Sequence, residues 1–413
     1  MKRKPLTIKQ RLATLGAVLV SAAALTAFAS AEPVSSPLNA PVQVAQASPS
    51  PSPTPSPKPF QVSAYADAGY QTASFASAPN APCNAAFFGG PTCGNIITGR
   101  VFDTVSKTPQ FHNFNIQASY TGTIGGKVEL SAGDDADIIA SYPKNLQSPP
   151  FGPGTQLDLT QAYVSYTGGP VTVILGKFET LAGAELIEAT GNTNYSRSIL
   201  NGFAIPFTHT GGRLTYTATP QLNLIVGANK GWDVTRTLAG DSNALTLELG
   251  AAWNPSKYFS LTTQGYSGNV EPGGAVIKST RSLLDLVATY HASDALSFVL
   301  NPDFGSQTNS GFAGGGFGTA KWSGVAGYVN YVFSPKFSAS LRGEYFNDQQ
   351  GIRTGLIQKW GEATLTGTYN LNSNVFVRAE VRGDKSNAYY FLDKTGAGYL
   401  TNTQFGMEIV AHT

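Results

Sequence analysis

Apolar and polar residues alternate at period two in segment after segment of this chain, from about residue 62 to its end. In Asn113-Phe114-Asn115-Ile116-Gln117-Ala118-Ser119-Tyr120 the apolar residues share one strand face and the polar residues the other, because successive side chains of a strand point to opposite sides. Residues 336–345, 362–369 and 375–382 repeat the pattern. A soluble sandwich also alternates, with its apolar face inward. Here, strands of about ten residues are joined alternately by tight turns and long Gly-rich segments, the pattern of an outer-membrane barrel that is apolar outside and polar within. The expected fold is all-β: a transmembrane, antiparallel, up-and-down β-barrel.

Sixteen strands are expected, at 62–75, 113–122, 127–132, 157–166, 171–178, 207–217, 221–230, 244–253, 258–267, 281–291, 295–304, 321–333, 336–346, 359–371, 374–383 and 402–411. An even number returns both ends to the periplasmic side. Gly168-Gly169-Pro170, Thr219-Pro220-Gln221, Asn254-Pro255-Ser256-Lys257, Ala292-Ser293-Asp294, Ser334-Pro335-Lys336 and Asn372-Ser373-Asn374 are short turn clusters, where Pro and Asn preset backbone angles. Between them fall long segments such as 133–156, 179–206, 268–280 and 305–320. Aromatics flank the short turns: Trp253, Tyr258 and Phe259 at one, Tyr331, Phe333 and Phe337 at another. An interfacial girdle has this placement.

The N-terminus reads as a secretory signal. Lys2, Arg3, Lys4, Lys9 and Arg11 precede an Ala/Leu/Val run at 12–28, and Ala29-Ser30-Ala31 supplies the small residues for cleavage after Ala31. Removing those five basic residues turns the full-chain net charge of +2 into −3, so the charge gives no support for nucleic-acid binding. Residues 32–59 form a Pro/Ser-rich stretch ending in alternating Pro; this favours an extended, semi-rigid periplasmic linker before a barrel domain at 60–413. Cys83 and Cys93 are the only cysteines. In an oxidising envelope they are expected to form one disulfide, worth roughly 3 kcal/mol by loop-closure entropy. Charged residues make up only 13% of the chain, against about 25% in ordinary globular domains.

If the apolar faces meet lipid, parity sends Lys127, Glu129, Arg213, Glu248, Asp285, Arg342, Glu344, Glu362, Arg378, Glu380 and Arg382 into the lumen. Opposed charges across a water-filled constriction orient dipolar solutes; the same residues can instead pair between neighbouring strands. The 179–206 segment carries Glu185, Glu188 and Arg197. It is long enough either to fold into the lumen and narrow it or to lie at the cell surface. Asp134, Asp135 and Asp137 lack the ordered spacing of a calcium loop and read as a solvated loop tip. Neither a metal site nor a cofactor motif is found. A hydrolase at the barrel rim would need a His working with a nucleophile, and His209 facing Ser196 or Ser198 is the candidate. Gly-x-Ser-x-Gly and His-Glu-x-x-His patterns are both missing from the sequence, so no enzyme is expected.

The stretch Gly176-Lys177-Phe178-Glu179-Thr180-Leu181-Ala182-Gly183, followed by Asn194-Tyr195-Ser196-Arg197-Ser198 and Ala204-Ile205-Pro206-Phe207-Thr208-His209-Thr210-Gly211, resembles the OmpL-like β-barrel porin family. The resemblance spans residues 60–413 and implies a general outer-membrane channel, with outer-membrane lipids, the barrel assembly machinery and small hydrophilic solutes as partners, and a homo-oligomer as one assembly. The chain departs from many barrel proteins in ending Ile409-Val410-Ala411-His412-Thr413, without a terminal aromatic for the assembly machinery. The expected activity is passive diffusion of small hydrophilic solutes and ions. A surface adhesin or structural barrel with a closed lumen is the alternative, ahead of a barrel-rim hydrolase. TonB-dependent uptake does not fit, since some 30 residues between signal and first strand cannot fold into a plug domain.

Overall fold

A computed structural model describes residues 59–76, 95–141, 155–235, 245–270 and 279–413. The expected signal, most of the linker, and Cys83 and Cys93 lie outside these residues. Sixteen strands close into one antiparallel barrel: β1 (Phe60–Ala73), β2 (Gln110–Tyr120), β3 (Ile124–Ala132), β4 (Leu157–Gly168), β5 (Val171–Glu179), β6 (Thr208–Thr219), β7 (Leu222–Asn229), β8 (Thr246–Ser256), β9 (Phe259–Val270), β10 (Ser279–His291), β11 (Leu296–Gly311), β12 (Phe317–Ser334), β13 (Phe337–Asp348), β14 (Gln358–Asn370), β15 (Val375–Ser386) and β18 (Thr401–His412). Between β15 and β18, the two-residue strands β16 (Phe391–Leu392) and β17 (Gly398–Tyr399) pair only with each other. Every barrel strand pairs with its sequence neighbours, and the cylinder closes where β1 meets β18, from Tyr65 opposite His412 to Ala73 opposite Gln404. Thr413 completes the seam, its N–H donating to Ala64 O (3.0 Å) and its Oγ1 accepting from Ala64 N (3.1 Å). The last strand is thus paired on both sides.

All sixteen expected segments are strands, displaced at their ends by a few residues. The largest difference is at 305–320, expected as a loop. There β11 and β12 run on as a long hairpin whose tip is residues 312–316. Gly314, Gly315 and Gly316 turn it with φ of +81°, +97° and +108°, the left-handed region that side chains with a Cβ avoid. Alternation hid the extension because Gly and polar residues occupy both faces there.

The outer surface carries a continuous apolar row. Leu341, Leu365, Val381 and Phe405 are successive register partners on β13, β14, β15 and β18, and all four are exposed. At the short-turn end Trp253, Tyr258, Tyr290, Tyr331, Phe333, Phe337 and Tyr369 are exposed as well, in the place of an interfacial belt. No helix among the described residues is long and apolar enough to cross a membrane; in a barrel, strands do so.

The core lies inside the cylinder. Leu283, Val287, Val299, Trp322, Phe346 and Trp360 point inward and pack with Ile199, Leu200, Phe203 and Ile205 of the segment between β5 and β6. Beside the polar interior expected from strand parity, the wall from β10 to β14 has an apolar patch. Leu283-Leu284-Asp285-Leu286-Val287 is apolar on both faces, which is the pattern of a strand buried on both sides.

Leu365→Arg places a charge at the middle of the lipid-facing row. It is expected to cost about 2–4 kcal/mol, measured by equilibrium denaturant unfolding in lipid vesicles, with Thr364→Ser on the inner face as the mild comparison.

Candidate functional site

Residues 180–207, the connection between β5 and β6, turn into the barrel rather than over its rim. Thr180 and Leu181 meet Tyr266 on β9; Ala184 N donates to Asn301 Oδ1 on β11 (3.0 Å); Asn194 Nδ2 donates to Thr366 Oγ1 on β14 (2.7 Å); and Tyr195 OH lies 2.9 Å from His112 Nε2 on β2. The segment therefore spans the lumen from wall to wall.

An irregular segment inside a cylinder has backbone N–H and C=O groups that no ladder satisfies, and leaving them bare is costly. Charged wall residues meet them. Glu380 accepts from the N–H groups of Tyr195 (2.8 Å) and Ser196 (3.1 Å). Glu344 accepts from Ile199 N (2.9 Å) and Leu200 N (3.1 Å), at the start of the one-turn helix Ile199–Phe203. Ser198 caps that helix through Asn201 N, and Glu185 Oε2 accepts from Ser198 N (2.7 Å). Acidic groups at a helix start take up N–H groups that have no partner within the helix. The arginines take the carbonyls. Arg342 Nη1 donates to Ser196 O (2.6 Å), Arg382 Nη1 to Arg197 O (2.8 Å), and Arg378 to Ala189 O (3.2 Å) and Asn192 O.

The same arginines are ion-paired. Arg342, fully buried, lies 2.7 Å from Glu185, 2.8 Å from Glu362 and 3.3 Å from Glu344. Arg382 pairs with Asp384 (2.8 Å) and reaches toward Glu362 (3.7 Å), and Arg378 pairs with Glu408 (2.8 Å). On the far wall Arg213 of β6 and Glu248 of β8 pair at 3.0 Å across the intervening strand β7. Gly227 lies between them in register, and a Cβ there would come within 2.6 Å of Glu248 Oε2. Glycine leaves room for that bridge.

The eleven residues assigned inward by strand parity all face the interior, ten of them buried and Lys127 partly so. Asp285 sits opposite Asp303 in the β10–β11 ladder and accepts from Asn301 Nδ2 (2.6 Å). Of the inserted segment, Glu185 joins Arg342, while Arg197 donates to the carbonyls of Leu186, Tyr195 and Ile187. Glu188 approaches Glu129 and Glu179, their carboxylate oxygens within 4.8 Å of one another. Three hard oxygen donors can hold a divalent cation, but Lys127 already pairs with Glu129 at 2.7 Å. Burial, then the neighbouring Glu129 charge, pushes the Glu188 carboxyl up to about 7.

One sequence expectation is corrected, and one candidate pairing is not formed. Asp135 is not at a solvated tip: it is buried in the short helix Asp134–Ile139 and faces His112 at 3.7 Å. His209 does not face a serine. It stacks on Tyr266 (4.7 Å) with its nitrogens toward Gly231 O and Thr180 Oγ1, while Ser196 and Ser198 serve Arg342 and the helix cap. The buried residues Tyr266, Asn301, Trp322 and Thr366, which hold the segment, were not legible as site residues. Their only signal was inward parity.

Arg342→Ala leaves Glu185, Glu344 and Glu362 without their shared counter-charge, and a cost of about 3–5 kcal/mol is expected, read from denaturant unfolding in vesicles. For Glu188, an unfolded carboxyl titrates near 4.5 while the folded one titrates near 7, so between those values the folded protein keeps a proton that the unfolded chain releases. This contribution to stability is full below about pH 4.5 and is lost as pH rises through about 7. Hydrogen exchange of the 180–207 amides is expected to quicken, beyond its intrinsic pH dependence, between about pH 5 and 8, and Glu188→Gln is expected to remove that excess.

Residues 59–412 match the family described as "Putative beta-barrel porin-2, OmpL-like". No curated protein matches the chain in sequence. Among solved structures, the barrel is similar to the outer membrane channel DcaP of Acinetobacter baumannii (TM-score 0.56, 15% identity, 86% of this chain and 97% of that one). It is similar to an anion-selective porin from Comamonas acidovorans (0.57, 14%, 86% and 99%), and to a loop-deletion form of OmpT, an outer membrane protein of Vibrio cholerae (0.52, 13%, 86% and 100%). With its closed sixteen-strand ladder and a profile match over nearly all of the barrel, the chain belongs to the OmpL-like β-barrel porin family.

Proposed function

We propose that this protein is a porin of the outer membrane of a Gram-negative-type bacterium, through which small hydrophilic solutes and ions diffuse passively, with residues 180–207 setting the constriction. The observation that carries the reading is the inserted segment itself. A sixteen-strand cylinder is too wide for its own side chains to fill, and here a segment of the chain, held by wall charges on both of its backbone polarities, narrows it. The family supports a channel rather than an enzyme. In this reading the chain is exported by a signal removed after Ala31, residues 32–59 act as a periplasmic linker, and Cys83 and Cys93 are bridged. A homo-oligomer is supported by a related barrel, OmpT of Vibrio cholerae, for which a trimer form is described.

The eleven inward charged residues act mainly as anchors of the constriction, since most are engaged by partners in the wall or the segment. That density of contacts favours one second reading, a structural barrel with a closed lumen. Conduction separates the two. Purified protein in a planar bilayer is expected to give discrete ohmic steps in KCl, and a barrel that inserts but never conducts would support the closed alternative. Deleting residues 184–192 is expected to raise single-channel conductance while heat-modifiable migration in mild detergent stays normal. An unchanged conductance in a normally assembled deletion protein would remove the constriction role.

A further inference from the structure

The wall arginines described above are spoken for, but two arginines near the long-loop end of the barrel are not. Arg281 lies on β10 just after the connection at 271–278, and Arg353 lies in the connection between β13 and β14. The Arg281 guanidinium sits 4.9 Å from the centre of the Trp232 ring. The Arg353 guanidinium sits 5.5 Å from that same ring and 5.3 Å from Trp322. The two indoles meet edge to face at 6.1 Å. Gly305 opposite Trp322 in the ladder makes room for its ring, which any Cβ there would strike. Each guanidinium is held by its Nε alone, Arg281 on Gln307 Oε1 (2.8 Å) and Arg353 on Phe203 O. Among the described residues, neither has a carboxylate within ion-pair distance. Two acids lie nearby without forming a side-chain ion pair: Asp233 accepts from Phe207 N and Thr208 N, and Asp348 accepts from the backbone N–H groups of Arg353 and Thr354.

The other wall arginines, Arg213, Arg342, Arg378 and Arg382, pair with acids at 2.7–3.0 Å; among the described residues these two form no such pair, and they sit side by side. Both are partly buried, and among the described residues no hydrogen bond occupies their Nη groups. Planar guanidinium forks match carboxylate geometry, and the buried indoles of Trp232 and Trp322 keep them in place by cation–π contact. Arg353 is bonded to Phe203, the last residue of the helix in the constriction segment. A solute entering from the long-loop end would therefore meet this cluster before the narrowest part.

We propose that Arg281 and Arg353, mounted on Trp232 and Trp322, form a capture site for small organic carboxylates above the constriction. This assigns a solute class to the channel and rests on the porin reading. The test is single-channel recording of the full mature protein in KCl, with sodium benzoate added on the long-loop side and inorganic phosphate and benzyl alcohol as comparison solutes. Benzoate is expected to reduce the current saturably, and benzyl alcohol to leave it unchanged. The Arg281→Gln/Arg353→Gln double variant is expected to raise the half-blocking concentration by about tenfold or more, the scale of losing a charged hydrogen-bond pair. Should the double variant fail to assemble, each single variant is expected to shift the block in the same direction. Tryptophan fluorescence of detergent-solubilised protein, titrated with benzoate, reads binding independently of conduction. Normal conductance steps with the same block in wild type and variants would overturn this site alone. Phosphate block equal to that of benzoate would overturn the carboxylate assignment, and an absence of steps would overturn the channel reading together with it.

Discussion

A chain segment without regular structure cannot sit inside a protein unless its backbone polar groups find partners, and the interior of this barrel is organised around that requirement. The segment at 180–207 brings N–H and C=O groups into a space where no strand can pair with them. Glutamates on β13 and β15 supply the acceptors, and arginines on the same two strands supply the donors. The charges that satisfy the backbone must themselves be neutralised at low exposure, which is why Arg342 lies among Glu185, Glu344 and Glu362. Removing one member leaves buried charge uncompensated, so loop position and wall electrostatics form a single unit.

The apolar patch beside that network has a related cause. The segment carries Ile199, Leu200, Phe203 and Ile205, and burying them against Trp322, Phe346 and Trp360 offsets part of the entropy of ordering an irregular stretch. Polar anchoring fixes the height and register of the segment on one wall, and apolar packing fixes its helix against the neighbouring wall. Glu188 stands at the other extreme, drawn among acids rather than bases. There burial and the neighbouring Glu129 raise the carboxyl's pKa to about 7.

Wall charges consumed in anchoring are poor candidates for contact with a passing solute. Arg281 and Arg353 differ because, among the described residues, no acid and no loop carbonyl holds their outer nitrogens. Within one barrel, the same residue type thus serves structure or is left available according to what the neighbouring connection brings to it.

The strand pattern made much of this molecule legible. Side chains on a strand alternate by steric necessity, so the sixteen strands, the lipid-facing row through Leu365 and the inward direction of Arg342, Glu344, Arg378 and Glu380 could all be read along the chain. Local pattern failed where residues distant in sequence decide the outcome. Nothing near Asp135 announces that it will be buried facing His112, and nothing near Ser196 announces Arg342. Whether 180–207 would lie outside or inside was open in the sequence, because its length permits both. Only the closed cylinder decides it, by bringing β11 to β15 around to face β5 and β6 and offering matched donors, acceptors and apolar surface that solvent outside the barrel does not.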